Sequence, residues 1–177
     1  MKRILTLSAI VLAMVCTSNA QAQDFPGLDK SPMDIAIYPG RQPDKVVRVI
    51  YSRPQLKGRS LADLAPAGKV WRTGANECTE ITFYKDVNFG GKAIPAGTYS
   101  LFTIPGNGEW TVILNKNLNQ WGAYSYEEGA DLARVSVPAS SGGDSLEAFA
   151  IAFQEADNGV HMIMGWDTTR VAVPITM

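Results

Sequence analysis

TYSLFTIPGNGEWTVIL, residues 98–114, contains the clearest strand pair in the sequence. Residues 98–104 and 109–114 are rich in β-branched and aromatic side chains, a composition typical of strands that face a core. The Pro-Gly-Asn-Gly segment between them, residues 105–108, is typical of a hairpin connection. The stretch therefore predicts two adjacent antiparallel strands.

Segments on both sides of this pair have a similar strand-like pattern. Residues 69–73 and 79–85 alternate between apolar and polar side chains, which predicts strands with one face in the core. The other strand candidates are residues 46–52, 133–137, 146–154, 160–166 and 170–175. Helical spacing occurs only in residues 56–65. About nine short strands and at most one short helix predict an all-β domain, either an antiparallel β-sandwich or a jelly-roll-like barrel.

Composition divides the chain into three segments. Residues 1–22 have the pattern of a secretory signal peptide. Residues 23–44 are rich in proline and glycine, which predicts an extended lead-in with room for one edge strand. Residues 45–177 are expected to form the compact β domain.

The signal peptide is predicted from charge, apolar length and small residues. Lys2 and Arg3 precede an uncharged apolar run, and Ala20 and Ala22 offer cleavage positions. A membrane anchor is disfavoured because the run has about a dozen residues, against the ~20 needed to span a bilayer. Lipidation at Cys16 is disfavoured because the preceding residues do not fit the usual pattern. We expect an exported protein, periplasmic or extracellular, without a membrane span.

The composition disfavours several classes of function. The chain has 16 basic and 17 acidic residues, and removal of Lys2 and Arg3 with the signal would leave a net charge of −3. Nucleic acid is therefore not an expected partner. Loss of Cys16 would leave only Cys78 and His161 as soft metal ligands, too few for a zinc site. Nucleotide-binding motifs are absent from the sequence, so no cofactor is expected.

The segment WRTGANE, residues 71–77, is the most suggestive part of the sequence. It places an indole, a guanidinium, an amide and a carboxylate around a glycine, which suits a polar or carbohydrate-like ligand. The alternative is a structural role, in which the arginine pairs with a nearby carboxylate and the tryptophan lies in the core. The predicted ligand-binding residues are Arg53, Arg59, Trp71, Arg72, Asn76 and Glu77.

Two further features leave alternatives open. Trp121, Tyr124 and Tyr126 in a long polar loop suit either stacking on sugar rings or a small core within the loop. Glu77 with Glu80 or with Asp167 could supply the acid and base of a hydrolase acting on the cell envelope or on carbohydrate. On a fully extended chain, however, Glu77 and Glu80 would lie on opposite faces.

Several stretches closely resemble the DUF2911 family, a set of exported bacterial proteins of unknown function. They are YSRP at 51–54, KGR at 57–59, GKVWRTGANE at 68–77, PAGTYSLFTIP at 95–105, EWT at 109–111 and WG at 121–122. The resemblance extends over about residues 46–175 and implies a common fold and export, without an activity. Relatives usually have alanine directly after the glutamate that corresponds to Glu77, whereas this chain has Cys78 there.

The main hypothesis is thus an exported, non-catalytic module that binds a polar ligand or an envelope partner protein. The alternatives are the hydrolase described above and a purely structural envelope component.

Overall fold

A computed structural model describes residues 24–177, so the predicted signal peptide at 1–22 lies outside the described residues. The strands of this part are β1 Met33–Tyr38, β2 Val47–Ser52, β3 Glu80–Phe83, β4 Val87–Phe89, β5 Lys92–Ile94, β6 Gly97–Ile104, β7 Glu109–Asn115, β8 Asp131–Ala156 and β9 Gly159–Thr176. One helical turn, α1 Leu61–Leu64, and a 3-10 turn, Glu128–Ala130, complete the elements. Within residues 24–177, none of the helices is long and apolar enough to span a membrane.

The described strands form one open antiparallel sheet in the order β1-β2-β3-β6-β7-β8-β9-β4-β5. This confirms the predicted all-β antiparallel fold. The 26-residue β8 pairs with β7 along its first part and with β9 along the rest. Its register with β9 shifts on both sides of Leu146. The long strand thus joins two parts of the sheet whose inner faces pack together.

An aromatic cluster fills the space between these two parts. Trp71 stacks on Trp166 of β9 at 5.4 Å between ring centroids and meets Phe149 of β8 edge-on at 5.1 Å. Tyr51 of β2 also contacts Phe149, and its hydroxyl accepts a hydrogen bond from the Ile151 backbone N–H at 3.0 Å. The core therefore ties the β2 side of the sheet to the β8–β9 side.

A second, smaller apolar cluster lies on the outer face of β6 and β7. Phe102 and Ile113, which are register partners, pack there with Cys78 and are covered by the loop of residues 116–130. Tyr126 of this loop meets Phe102 edge-on at 5.0 Å. The loop thus has an apolar anchor on the sheet.

Hydrogen bonds around Asp131 hold the end of the loop. The Asp131 carboxylate accepts from the Tyr126 hydroxyl at 2.6 Å, the Asn115 amide at 2.7 Å and the Arg134 guanidinium at 2.8 Å. Burial and the neighbouring Asp131 raise the pKa of the Tyr126 phenol above its usual range, so it stays a donor at neutral pH. The loop is therefore fixed at its carboxyl-terminal end.

Candidate functional site

Residues 72–79 form a tight turn that is held by a hydrogen bond on its inner side. Thr73 and Asn76 both have left-handed backbone conformations, with φ of 54° and 58°. The Thr79 hydroxyl donates to the Thr73 carbonyl at 2.8 Å. A Cβ on Gly74 would lie 2.9 Å from the Thr79 Oγ1 and 3.0 Å from the Ser52 carbonyl oxygen. Only glycine fits there without a shift of the backbone.

The loop segment 120–122 pairs with this turn in antiparallel fashion. The Cys78 N–H donates to the Gln120 carbonyl at 2.8 Å, and the Gly122 N–H donates to the Asn76 carbonyl at 3.0 Å. Glu77 and Trp121 form the bridge between those two bonds. The sequence string around Glu77 and the aromatic loop therefore belong to one surface.

Two aromatic side chains project from this surface. Trp121 is 61% exposed and Tyr124 is 84% exposed, although both sit in a loop whose backbone is anchored. Tyr126, by contrast, packs on the second apolar cluster. The three loop aromatics therefore divide into one packing residue and two that are free to contact a ligand.

Arg72 lies beside these aromatics. A Cβ placed on Gly122 would be 3.1 Å from the Arg72 Nη1 and 2.8 Å from a Tyr124 ring carbon, so both side chains converge over Gly122. The Arg72 Nε is buried without an acceptor, and within residues 24–177 no carboxylate oxygen lies within 4.0 Å of this guanidinium. Its charge is therefore available to a ligand.

Three of the predicted site residues make internal contacts instead. Trp71 is part of the aromatic core, and its Nε1 donates to the Gly74 carbonyl at 3.1 Å. Arg53 donates to the Phe149 carbonyl at 2.9 Å and pairs with Asp34 at 3.2 Å. Arg59 donates to the carbonyls of its own loop, at residues 55 and 56. The structure brings together Arg72, Asn76 and Glu77 at the turn.

Asn76 and Glu77 are consecutive residues on the outer side of the turn. Glu77 is exposed next to Trp121. Asp29, in the segment before β1, lies near the half-buried Asn76. The Ser31 backbone N–H, and then the Asn76 side chain, lower the pKa of the Asp29 carboxyl. The amino-terminal segment thus borders the same surface.

A cleft of about 180 Å³ opens between the outer face of the sheet and the loop, and both Glu77 and Glu80 line it. The left-handed residue Asn76 provides the turn that brings the two carboxylates to one side. Asp167 does not line this cleft; on β9 it accepts a hydrogen bond from the Ser145 hydroxyl at 2.8 Å. No group of metal-ligating side chains occurs in the part of the chain that the structure describes.

Cys78 lies at the base of the cleft, and we expect it to be unreactive in the folded protein. Its Sγ faces the carbonyls of Thr79 at 3.5 Å and Leu101 at 3.6 Å, and burial raises the pKa of the thiol to about 12. At pH 8 only about one molecule in 10,000 would carry the thiolate, and this fraction rises tenfold per pH unit. Iodoacetamide labelling at pH 8 should be complete in urea and negligible in buffer. Fast labelling of the folded protein would contradict this environment.

Gly122 and Ser52 are the site residues that sequence reasoning did not identify. The sequence did contain one indication of Gly122, because this glycine directly follows Trp121 in the loop that also contains Tyr124 and Tyr126. Ser52 carried no signal, because its role depends on the cleft formed by the distant loop.

Comparison with known proteins gives a match to one family. A family model described as "Protein of unknown function (DUF2911)" matches residues 31–175, which include the turn, the aromatic loop and nearly all of the sheet. No curated protein and no solved structure matches the chain.

Proposed function

This chain belongs to the DUF2911 family of proteins of unknown function, and we propose that it is an exported, non-catalytic module that binds an acidic, carbohydrate-like ligand. The binding surface, here called the Arg72 surface, consists of Arg72, Asn76, Glu77, Trp121 and Tyr124. Export rests on the sequence pattern of residues 1–22.

The uncompensated Arg72 guanidinium is the observation that carries this proposal. Arg53 and Arg134 each have a carboxylate partner within 3.2 Å, whereas Arg72 and Arg48 each have a buried Nε without an acceptor among residues 24–177. Arg72 is half-buried, so its charge is partly removed from water without an ion pair in return. A ligand carboxylate would supply that pair, and guanidinium groups bind carboxylates with short, charge-assisted hydrogen bonds.

The aromatic side chains favour a sugar-like ligand. Trp121 and Tyr124 offer flat, amphipathic faces in water, and the pairing of Gly122 with Asn76 holds their loop in place. Amide and carboxylate groups at Asn76 and Glu77 are suited to hydroxyl groups, which both donate and accept hydrogen bonds. Charge, stacking and hydroxyl recognition are thus available on one surface.

Replacing Tyr124 with alanine should weaken binding of a uronic-acid oligosaccharide by about tenfold, because one stacking face is lost. The measurement is calorimetric titration of the purified chain. Tyr84→Ala removes another exposed tyrosine, at the end of β3, and should leave the affinity unchanged. Equal affinities for the two variants, or no binding by the unsubstituted chain, would contradict the proposed site.

A hydrolase is the second candidate function, favoured by the position of Glu77 and Glu80 on one cleft. A pair of carboxylates across a cleft is the arrangement that acid and base catalysis of glycoside cleavage requires. Release of reducing ends from envelope glycans, abolished in Glu80→Gln, would support this candidate. Equal release by the chain and by Glu80→Gln would exclude a catalytic role for Glu80 and therefore for this pair.

A further inference from the structure

The cleft beside the turn has a chemistry opposite to that of the Arg72 surface. Its lining includes Glu77, Glu80, Ser52, Asn119, Met33 and Ile50. Two carboxylates are present, and none of the described lining residues is Lys, Arg or His. The cleft is therefore suited to a group with positive charge.

One of the carboxylates is held in position. The Asn119 backbone N–H donates to the Glu80 Oε1 at 2.9 Å, which fixes the half-buried carboxylate against the loop. The described residues give the second carboxylate oxygen no hydrogen bond. It therefore remains available as a strong acceptor at the cleft.

The Ser52 hydroxyl is a second, independent indication of a ligand. Ser52 is only 3% exposed and lines the cleft, yet its hydroxyl has no hydrogen-bond partner within residues 24–177. Tyr51 points into the core, where its hydroxyl reaches Ile151, so strand alternation directs Ser52 to the outer face. The Ser52 oxygen is therefore free to accept a hydrogen bond from a ligand donor in the cleft.

The remaining wall of the cleft is apolar. Met33 of β1 is 60% exposed, and Ile50 of β2 is half-buried next to it. These side chains offer a surface for a few methylene groups but no polar atoms. An ion with a full hydration shell would gain nothing from this wall.

We propose that the cleft binds the ammonium group of a primary amine whose short alkyl chain lies against Met33 and Ile50. An ammonium group has three N–H donors, and Glu77, Glu80 and Ser52 offer three acceptors. This site shares Glu77 with the Arg72 surface but none of its other residues, so loss of saccharide binding in the Arg72 or Tyr124 variants leaves the proposal intact.

The test is titration of the purified chain with n-butylammonium chloride, followed by backbone amide chemical shifts. Shifts should be largest at residues 50–52, 77–80 and 119. Glu80→Gln, which keeps an oxygen acceptor for Asn119, should weaken binding by about tenfold or more, and Ser52→Ala by a few-fold. Butan-1-ol, which has the same chain without the charge, should bind at least about tenfold more weakly.

A control variant and a second cleft variant complete the test. Glu109→Gln, an exposed glutamate on β7 outside the cleft, should bind butylammonium as the unsubstituted chain does. Glu77→Gln changes an exposed side chain and should also weaken binding, which covers the case in which Glu80→Gln fails to fold. Equal binding of butan-1-ol, or unchanged affinity in both Glu80→Gln and Glu77→Gln, would overturn the proposal.

Discussion

Replacing Trp71 with alanine is expected to lower the free energy of unfolding by about 3–5 kcal/mol. The indole contacts Trp110, Phe149 and Trp166, which lie on both parts of the folded sheet. It also donates to the Gly74 carbonyl, so its loss releases the inner side of the turn. Such a loss is a large fraction of the stability of a typical domain, about 5–15 kcal/mol.

Urea denaturation of Trp71→Ala and Trp121→Ala measures this effect with a matched control. Both variants remove an indole from a residue that forms an isolated β-bridge, but Trp121 is exposed. The Trp121 variant should change stability by no more than about 0.5 kcal/mol. Similar losses in the two variants would contradict the assignment of Trp71 to the core.

Replacing Gly122 with alanine should weaken saccharide binding by about tenfold or more while the fold is retained. Gly122 has a φ of 68°, and an added Cβ would lie 2.8 Å from the Tyr124 ring and 3.1 Å from the Arg72 Nη1. Both groups must then move away from the surface they share. The Gly122 N–H is kept in alanine, so the hydrogen bond to Asn76 can persist.

Gly68→Ala separates this displacement from backbone strain. Gly68 has a similar φ of 73°, and within residues 24–177 no atom beyond its own and those of its two chain neighbours lies within 4 Å of the position of its Cβ. Both variants should lose about 1–2 kcal/mol of stability, the cost of a left-handed alanine. Only Gly122→Ala should lose affinity in calorimetric titration. An equal loss of affinity in Gly68→Ala would show that strain, and not displacement, is responsible.

The local strand pattern predicted much of the sheet. Residues 98–104 and 109–114 correspond closely to β6 and β7, which pair in antiparallel register through Phe102 and Ile113. Hydrophobic alternation and the Gly-Asn-Gly turn are local signals. They are strong where two strands that are consecutive in the sequence also pair with each other in the sheet.

The long strands were not predicted as single elements. Residues 133–137 and 146–154 were predicted as separate strands, and both lie in β8. In the structure, β8 continues through the residues between them, with a left-handed Gly143 at φ 74° and a shifted register with β9. Residues 69–73 form only a bridge from Trp71 to Thr103, because the left-handed Thr73 ends the extended backbone.

The candidate site shows where local sequence stops being informative. The string at 71–77 coincides with the turn of residues 72–79, but it did not give the direction of each side chain. The carbonyl that Arg53 binds belongs to Phe149, 96 residues away. The cleft depends in the same way on Asn119, 39 residues from its partner Glu80. Such contacts are set by tertiary packing, which no local pattern contains.

The most direct test of the proposed function compares Arg72→Gln with Arg41→Gln, which removes an exposed arginine before β2. Each variant is titrated with a uronic-acid oligosaccharide and with a neutral oligosaccharide of equal length. We predict that Arg72→Gln weakens binding of the acidic ligand by about tenfold or more and leaves the weaker binding of the neutral ligand unchanged. Arg41→Gln should match the unsubstituted chain. Equal affinity of Arg72→Gln and Arg41→Gln for the acidic ligand would contradict a ligand-binding role for Arg72.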